Sequence, residues 1–191
     1  MKILISLLIV FQISTLLGNG IKVGFDTIGK HKATDIELDD YSLGNMNNDA
    51  ENGFSIAFQS VPNFNEKLSF GFGVEYMIGR SIEDFEGDFN FENLFLIIYQ
   101  TISPEEPLFF SGRIGYGLFK ADDKYKGDGI TILKGGLYYG YGGGYKIDDK
   151  ISVEAVYTHN YGKYDSHIPF VGDSKYNLEY TRLNISLIYT Y

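Results

Sequence analysis

From Ile21 to the C-terminal Tyr191, apolar and polar residues alternate with a period of two in one segment after another, and no segment carries a sustained helical stripe. Alternation of that period makes a strand with two unlike faces. Eight strands are predicted. The first spans Ile21 to Ile28, with Ile21, Val23 and Phe25 on one face and Lys22, Gly24 and Asp26 on the other. The second spans Gly53 to Val61. The third starts near Leu68 and sets Phe70, Val74, Tyr76 and Ile78 against Ser69, Gly71, Gly73 and Glu75. The fourth, Phe89 to Ile102, is apolar on both faces from Leu94 to Tyr99, which leaves its register open. The fifth begins near Leu108, the sixth covers Lys134 to Ile147, the seventh Ile151 to Tyr161, and the eighth ends the chain with Leu183, Ile185, Leu187, Tyr189 and Tyr191 on one face.

The connections alternate as well. Pro62 to Lys67, Ser103 to Pro107 and Asp148 to Lys150 are short, whereas Gly29 to Asn52, Arg80 to Asp88, Asp122 to Leu133 and Gly162 to Lys175 are long and are expected to be loops. Short turns at one end and long loops at the other predict an all-β fold: an eight-stranded antiparallel up-and-down barrel that crosses a membrane. In lipid an open sheet edge leaves backbone groups unpaired, so the eighth strand is expected to close on the first. The greasy half of each strand is expected to face acyl chains, with the charged half sealed within the tube. An even strand count puts both termini on the short-turn side, the periplasm, with the long loops extracellular.

The N-terminus differs. Lys2 precedes an apolar run from Ile3 to Leu17 interrupted by Gln12, Ser14 and Thr15, and Gly18-Asn19-Gly20 follows. This is the layout of a secretory signal peptide, expected over residues 1–20 with cleavage after Gly18 or Gly20 and the barrel over 21–191. Composition narrows the picture further. The 191 residues include 16 Tyr, 15 Phe and 23 Gly but no Cys, so a disulfide-stapled secreted scaffold is excluded. A net charge of -9 argues against a nucleic-acid partner.

The segment Gly142 to Tyr157 (Gly-Gly-Gly-Tyr-Lys-Ile-Asp-Asp-Lys-Ile-Ser-Val-Glu-Ala-Val-Tyr) is similar to the hairpin before the last strand of the small outer-membrane β-barrels of the OmpA/OmpX kind. The alternation that ends on an aromatic residue resembles that family too, although Tyr191 stands where members usually carry Phe or Trp. The resemblance covers the chain from Ile21 to Tyr191. It implies an outer-membrane location, outer-membrane lipid and lipopolysaccharide as neighbours, and an assembly signal in Leu187, Tyr189 and Tyr191 for the barrel-assembly machinery.

Candidate functional residues follow from the predicted faces. Lys22, Asp26, Glu75, Arg113, Lys146, Glu154 and Arg182 fall on the polar face. Buried charges require partners, so a lumen network is expected that joins Glu75 and Glu154 to Arg113 and Arg182. Tyr76, Tyr99, Phe110, Tyr116, Tyr139, Tyr157, Tyr180 and Tyr189 are expected to form aromatic girdles at the membrane interfaces. The long connections are acidic, with Asp35, Glu37, Asp39, Asp40, Asp49 and Glu51 in the first, Glu83, Asp84, Glu86 and Asp88 in the second, and Asp122, Asp123 and Asp128 in the third. None has EF-hand spacing, and a solvated surface rather than a metal site is expected. His159, Ser166 and His167 are the only hint of a lipid-modifying enzyme, and Thr158-His159-Asn160-Tyr161 lacks the His-x-Ser arrangement of lipid A deacylases. The Gly-x-Gly repeats sit within strands and do not open helices, so no phosphate-binding loop is predicted.

These features favour a non-enzymatic barrel without cofactor that displays loops to surface or host ligands. A narrow pore for small solutes, a lipid A-modifying enzyme and a soluble lipocalin-like barrel are the alternatives, the last requiring apolar residues inside and polar ones outside.

Overall fold

The computed structural model describes residues 19–38, 41–82, 85–103, 106–126, 130–168 and 172–191. The expected signal peptide therefore lies almost wholly outside the described residues. The strands are β1 (Gly20–Asp26), β2 (Gly29–Leu38), β3 (Tyr41–Ala50), β4 (Gly53–Gln59), β5 (Leu68–Met77), β6 (Arg80–Ile82), β7 (Phe85–Thr101), β8 (Leu108–Ala121), β9 (Ile130–Lys146), β10 (Ile151–Ile168) and β11 (Gly172–Thr190), with a short helix α1 (Asp123–Lys126) between β8 and β9.

Each neighbouring pair is antiparallel. Going round, β1 pairs with β4, β4 with β5, β5 with β7, β7 with β8, and then β9, β10 and β11 follow. β11 returns to β1 in unbroken register from Gly20↔Thr190 to Asp26↔Asn184. The ring of eight strands is closed, and no backbone edge faces lipid along the part that would span a bilayer.

β2, β3 and β6 continue the staves begun by β1, β4 and β5. β2 pairs with the upper half of β11 and with β3, and among the described residues β3 pairs with β6 at Ala50↔Ile82. The expected loop from Gly29 to Asn52 is thus mostly a strand hairpin. Arg80 to Asp88 contains β6 and the start of β7, Asp122 to Leu133 contains α1 and the start of β9, and Gly162 to Lys175 contains the end of β10 and the start of β11. The reason is physical. Once a ladder has formed below, extending it adds backbone hydrogen bonds, and the extensions still bury an inner face of Ala33, Ile36, Tyr164, Ser166 and Leu178 while the outer face stays mostly polar. The result is a wall of five strands, β3-β2-β11-β10-β9, that rises above the barrel. The β10–β11 ladder runs on from His159↔Thr181 to Ile168↔Gly172, whereas the β7–β8 ladder ends at Phe89↔Ala121.

Sidedness follows the pleat. Leu96 is 64% exposed while the next residue, Ile97, is fully buried. Val23, Phe25, Phe70, Leu94, Ile98, Ile114, Leu118, Ile185 and Leu187 complete an exposed outer belt. Lys22, Asp26, Glu75, Arg80, Arg113, Glu154 and Arg182 are all buried inside. This also fixes β7, whose sequence left the register open: Phe91, Asn93, Phe95, Ile97 and Tyr99 point inward.

The interior is not purely polar, however. Phe89, Phe91, Phe119, Met77 and Tyr180 form an apolar cluster towards the long-connection end. Phe95, Ile97, Tyr99, Phe109 and Tyr138 form another towards the short turns. The narrow lumen of a small barrel must be filled by side chains, and rings do this where a facing glycine leaves room. A methyl group on Gly144 would collide with the Phe109 ring, and one on Gly24 with the Asn184 amide.

Candidate functional site

The charged residues of the lumen form two groups. In the lower group Glu154 on β10 accepts from Arg113 on β8, from Ser111 Oγ at 2.6 Å and from Lys22 Nζ on β1 at 3.4 Å. In the upper group Arg182 on β11 pairs with Glu75 on β5 through Nη2, and with Asp26 on β1 through Nη1 at 2.9 and 2.7 Å. Asp26 also accepts from Arg80, and Glu75 from the Asn93 amide at 3.0 Å. All of these ion pairs but one skip at least one stave of the wall, and Arg182 and Asp26 lie on adjacent strands. Arg182 and Glu75 have two staves, β1 and β4, between them, Lys22 and Glu154 have β11, and Arg113 and Glu154 have β9. Arg113 further lies over the Phe95 ring, 5.4 Å from its centroid.

Of the residues expected in one network, Glu154 and Arg113 meet in the lower group and Glu75 and Arg182 in the upper. Lys146 joins neither. It is half-buried near the short turns, where it pairs with Asp149 at 2.8 Å and lies over Phe64. Two members of the upper group escaped the expected network. The sequence puts Asp26 on the inner face without naming a partner, and it puts Arg80 at the start of a long connection. Arg80 sits on β6 and donates to the carbonyls of Ile78 and Phe54 as well as to Asp26. The signal for it was its isolation: an arginine two residues past Ile78, the end of an apolar alternation, with no neighbouring charge until Glu83.

Tyr76, Tyr116 and Tyr189 are exposed on the outer face, and Tyr139 and Tyr157 are half-buried there. Phe110 is outside as well. Tyr99 and Tyr180 are corrections: both are fully buried inside the tube. Tyr99 exchanges hydrogen bonds there, accepting from Gln59 at 3.0 Å and donating to the Ser60 carbonyl at 2.8 Å. A tyrosine with a partner for its hydroxyl packs inside as readily as at an interface, so ring type alone does not choose the face. Leu187, Tyr189 and Tyr191 all lie exposed on the outer side of the closing strand.

On the outer wall His159 stacks on Tyr139 at 4.5 Å between ring centroids and meets Tyr157 edge-on at 5.1 Å. Its Nδ1 lies 3.0 Å from Glu179, which also accepts from the Tyr161 hydroxyl at 3.1 Å. Ser166, by contrast, is buried on the inner face against Thr131, and His167 is exposed beside Asp173. His159 and Ser166 thus occupy opposite faces of β10 and make no nucleophile–base pair.

The acidic residues are dispersed. Asp49 pairs with Lys30, Asp35 accepts from the Asn177 amide at 2.8 Å, Asp88 from Ser81 at 2.7 Å, and Asp123 pairs with Lys126 at 3.3 Å. Among the described residues no three His, Asp or Glu side chains come together as a metal site. Asp39, Asp40, Glu83, Asp84 and Asp128 lie outside the described residues, and of the Glu86 side chain nothing is described.

No family model and no curated protein matches the chain. Solved structures do. The outer membrane protein OprG from Pseudomonas aeruginosa aligns with a TM-score of 0.54 at 12% identity, over 92% of this chain and 97% of its own. Outer membrane protein AlkL, solved in lipid bilayers, aligns at 0.51 and 14% identity over 92% and 91%. Neisserial surface protein A aligns at 0.50 and 16% identity over 90% and 97%. The chain has the fold of the small eight-stranded outer-membrane β-barrels.

Proposed function

We propose that the chain is a bacterial outer-membrane protein that works by display rather than by chemistry. The barrel anchors it, its termini and short turns face the periplasm, and the five-stranded wall with its acidic connections stands outside the cell. The observation that carries this reading is the set of ion pairs spanning the bore, closed off by aromatic clusters on either side. Such a tube serves as a rigid post, and function then resides in what the post holds up. Outer-membrane lipid and lipopolysaccharide would surround it, its loops would meet surface or host ligands, and the barrel-assembly machinery would read Leu187, Tyr189 and Tyr191. No nucleic acid, metal or cofactor enters this account.

The test has two arms. In planar bilayers the refolded chain should give a flat current trace at all voltages. Stepwise conductance would replace display with the narrow-pore reading. On intact cells, protease should cut within the long connections and spare the short turns. Cleavage confined to the short turns would reverse the orientation.

A further inference from the structure

The outer wall carries a pair of lysines in an arrangement that intramolecular contacts leave unresolved. Lys134 on β9 and Lys163 on β10 are direct cross-strand partners and both are exposed. Like charges directly opposite on neighbouring strands, with Cβ atoms about 5 Å apart, repel each other. Neither has a carboxylate within 4.0 Å among the described residues, and neither does Lys32 nearby on β2. Lys30 and Lys120, also on the outer surface, are paired with Asp49 and Glu92.

Three acidic residues surround the pair, and the structure holds two of them elsewhere. Glu179 is the cross-strand partner of Lys32, but its carboxylate is held by His159 and Tyr161. Asp165 lies one row further out, opposite Lys175. Asp35, held by the Asn177 amide, bounds the site on its β2 side.

The backbone opens a seat at the same place. The β9–β10 ladder is interrupted between Asn160 and Gly162, and a groove of about 430 Å³ forms beside the pair, lined by Lys163, Asn177, Thr34, Tyr161, Glu179 and Leu137, with Lys134 and Lys32 outside its lining. Height matters too. Lys163 lies four residues beyond His159, which stacks in the outer aromatic row with Tyr139 and Tyr157. Four residues of a strand tilted as in such barrels rise about 10 Å. That lifts the ammonium groups out of the hydrocarbon layer to the level of lipid headgroups, within reach of long lysine side chains.

We propose that Lys134 and Lys163, with Lys32 at the side, bind the phosphate of a phosphorylated glycolipid of the outer leaflet. One phosphate neutralises both opposed ammoniums, the groove takes part of the sugar to which it is attached, and the aromatic row below packs on the acyl chains. The assignment rests on the orientation proposed above, in which this wall faces the outside of the cell.

The experiment uses the full barrel in nanodiscs of zwitterionic phospholipid doped with bisphosphorylated lipid A, with retained lipid measured by native mass spectrometry. The wild-type chain should retain lipid A, and Lys134→Ala/Lys163→Ala should lower retention on the order of tenfold. Lys134→Arg/Lys163→Arg should keep it, as should the control Lys124→Ala/Lys150→Ala, placed in α1 and in a short turn. Heat-modifiable gel migration verifies that each variant is folded. Equal retention by the double alanine variant, or equal retention of dephosphorylated lipid A, overturns the proposal. Displacement by low-millimolar inorganic phosphate would make the site one for the free ion and overturn the lipid assignment. Protease shaving separates the two readings, since a site that binds lipid A on a wall that is not shaved would refute the orientation and leave the chemistry standing.

Discussion

Arg182 holds both carboxylate oxygens of Asp26 through a single nitrogen, Nη1, at 2.9 and 2.7 Å, and these residues sit on the two strands that close the ring. The same guanidinium reaches across to Glu75 on the far side of the bore. Closure of the barrel and filling of its lumen are therefore coupled through one side chain.

Arg182→Met should destabilise the barrel by about 3–5 kcal/mol, because it leaves the buried Glu75 carboxylate without its ion-pair partner while Asp26 keeps Arg80. Adding Glu75→Gln should recover part of the loss by removing the stranded charge. The chain contains no Trp, so the measurement is the urea midpoint of the heat-modifiable gel band, supported by far-ultraviolet circular dichroism. An unchanged midpoint for the single variant would discard the structural role given to this residue.

Leu96→Arg tests which face meets lipid. Leu96 points outward from the middle of β7, where an arginine facing acyl chains costs about 2–4 kcal/mol. Refolding yields in bilayers should fall accordingly. A soluble barrel would accept this substitution on its surface, so an unaffected variant that also folds without lipid or detergent would contradict the membrane assignment.

Gly73→Ala probes how tightly the interior is filled. The added methyl would lie 2.7 Å from Phe95 Cζ and 2.9 Å from Gln59 Cβ. Overpacking of this kind costs about 1–3 kcal/mol. Phe95→Leu in the same chain should restore much of the stability, and failure of that rescue would mean the clash lies elsewhere.

His31 gives a pH signature from the wall. It lies on β2 above Ile28, faces inward and meets the Phe89 ring at 5.3 Å. Burial lowers its pKa from 6.5 to about 4. The unfolded chain takes up this proton below about pH 6.5 and the folded chain only near pH 4. Folding should therefore weaken as pH falls through that window, by up to about 3 kcal/mol from this group, and level off below it. An NMR titration of the ring in micelles should show no transition between pH 5 and 8. A midpoint near 6.5 would show that the ring is hydrated.

Much of the barrel was legible because a membrane strand must pair every backbone group and separate its two faces, which imprints a period of two. Lys22, Glu75, Arg113, Glu154 and Arg182 could be assigned to the interior from that period alone. Their grouping could not, because it depends on which staves lie opposite one another across the ring. The lumen rings were missed for a related reason. Tyr99 and Tyr180 occupy the inner face, but their composition matches that of a girdle, and in β7 both faces are apolar, so no polar residue marked the sides until Asn93. The outer halves of the strands were hidden because they carry little apolar contrast. Even so, the run Lys30-His31-Lys32-Ala33 alternates outward and inward as the first strand does.

The wall of β3, β2, β11, β10 and β9 rises over only part of the ring. Viewed down the barrel axis, the molecule is lopsided, with a tall flank and a low one. In the proposed outer-membrane setting, a barrel turning in the plane of the leaflet would have a heading, and its rotation angle would help to decide which neighbours it could engage. In a crowded membrane where proteins pack side by side, that would give this small post a preferred way of facing its surroundings.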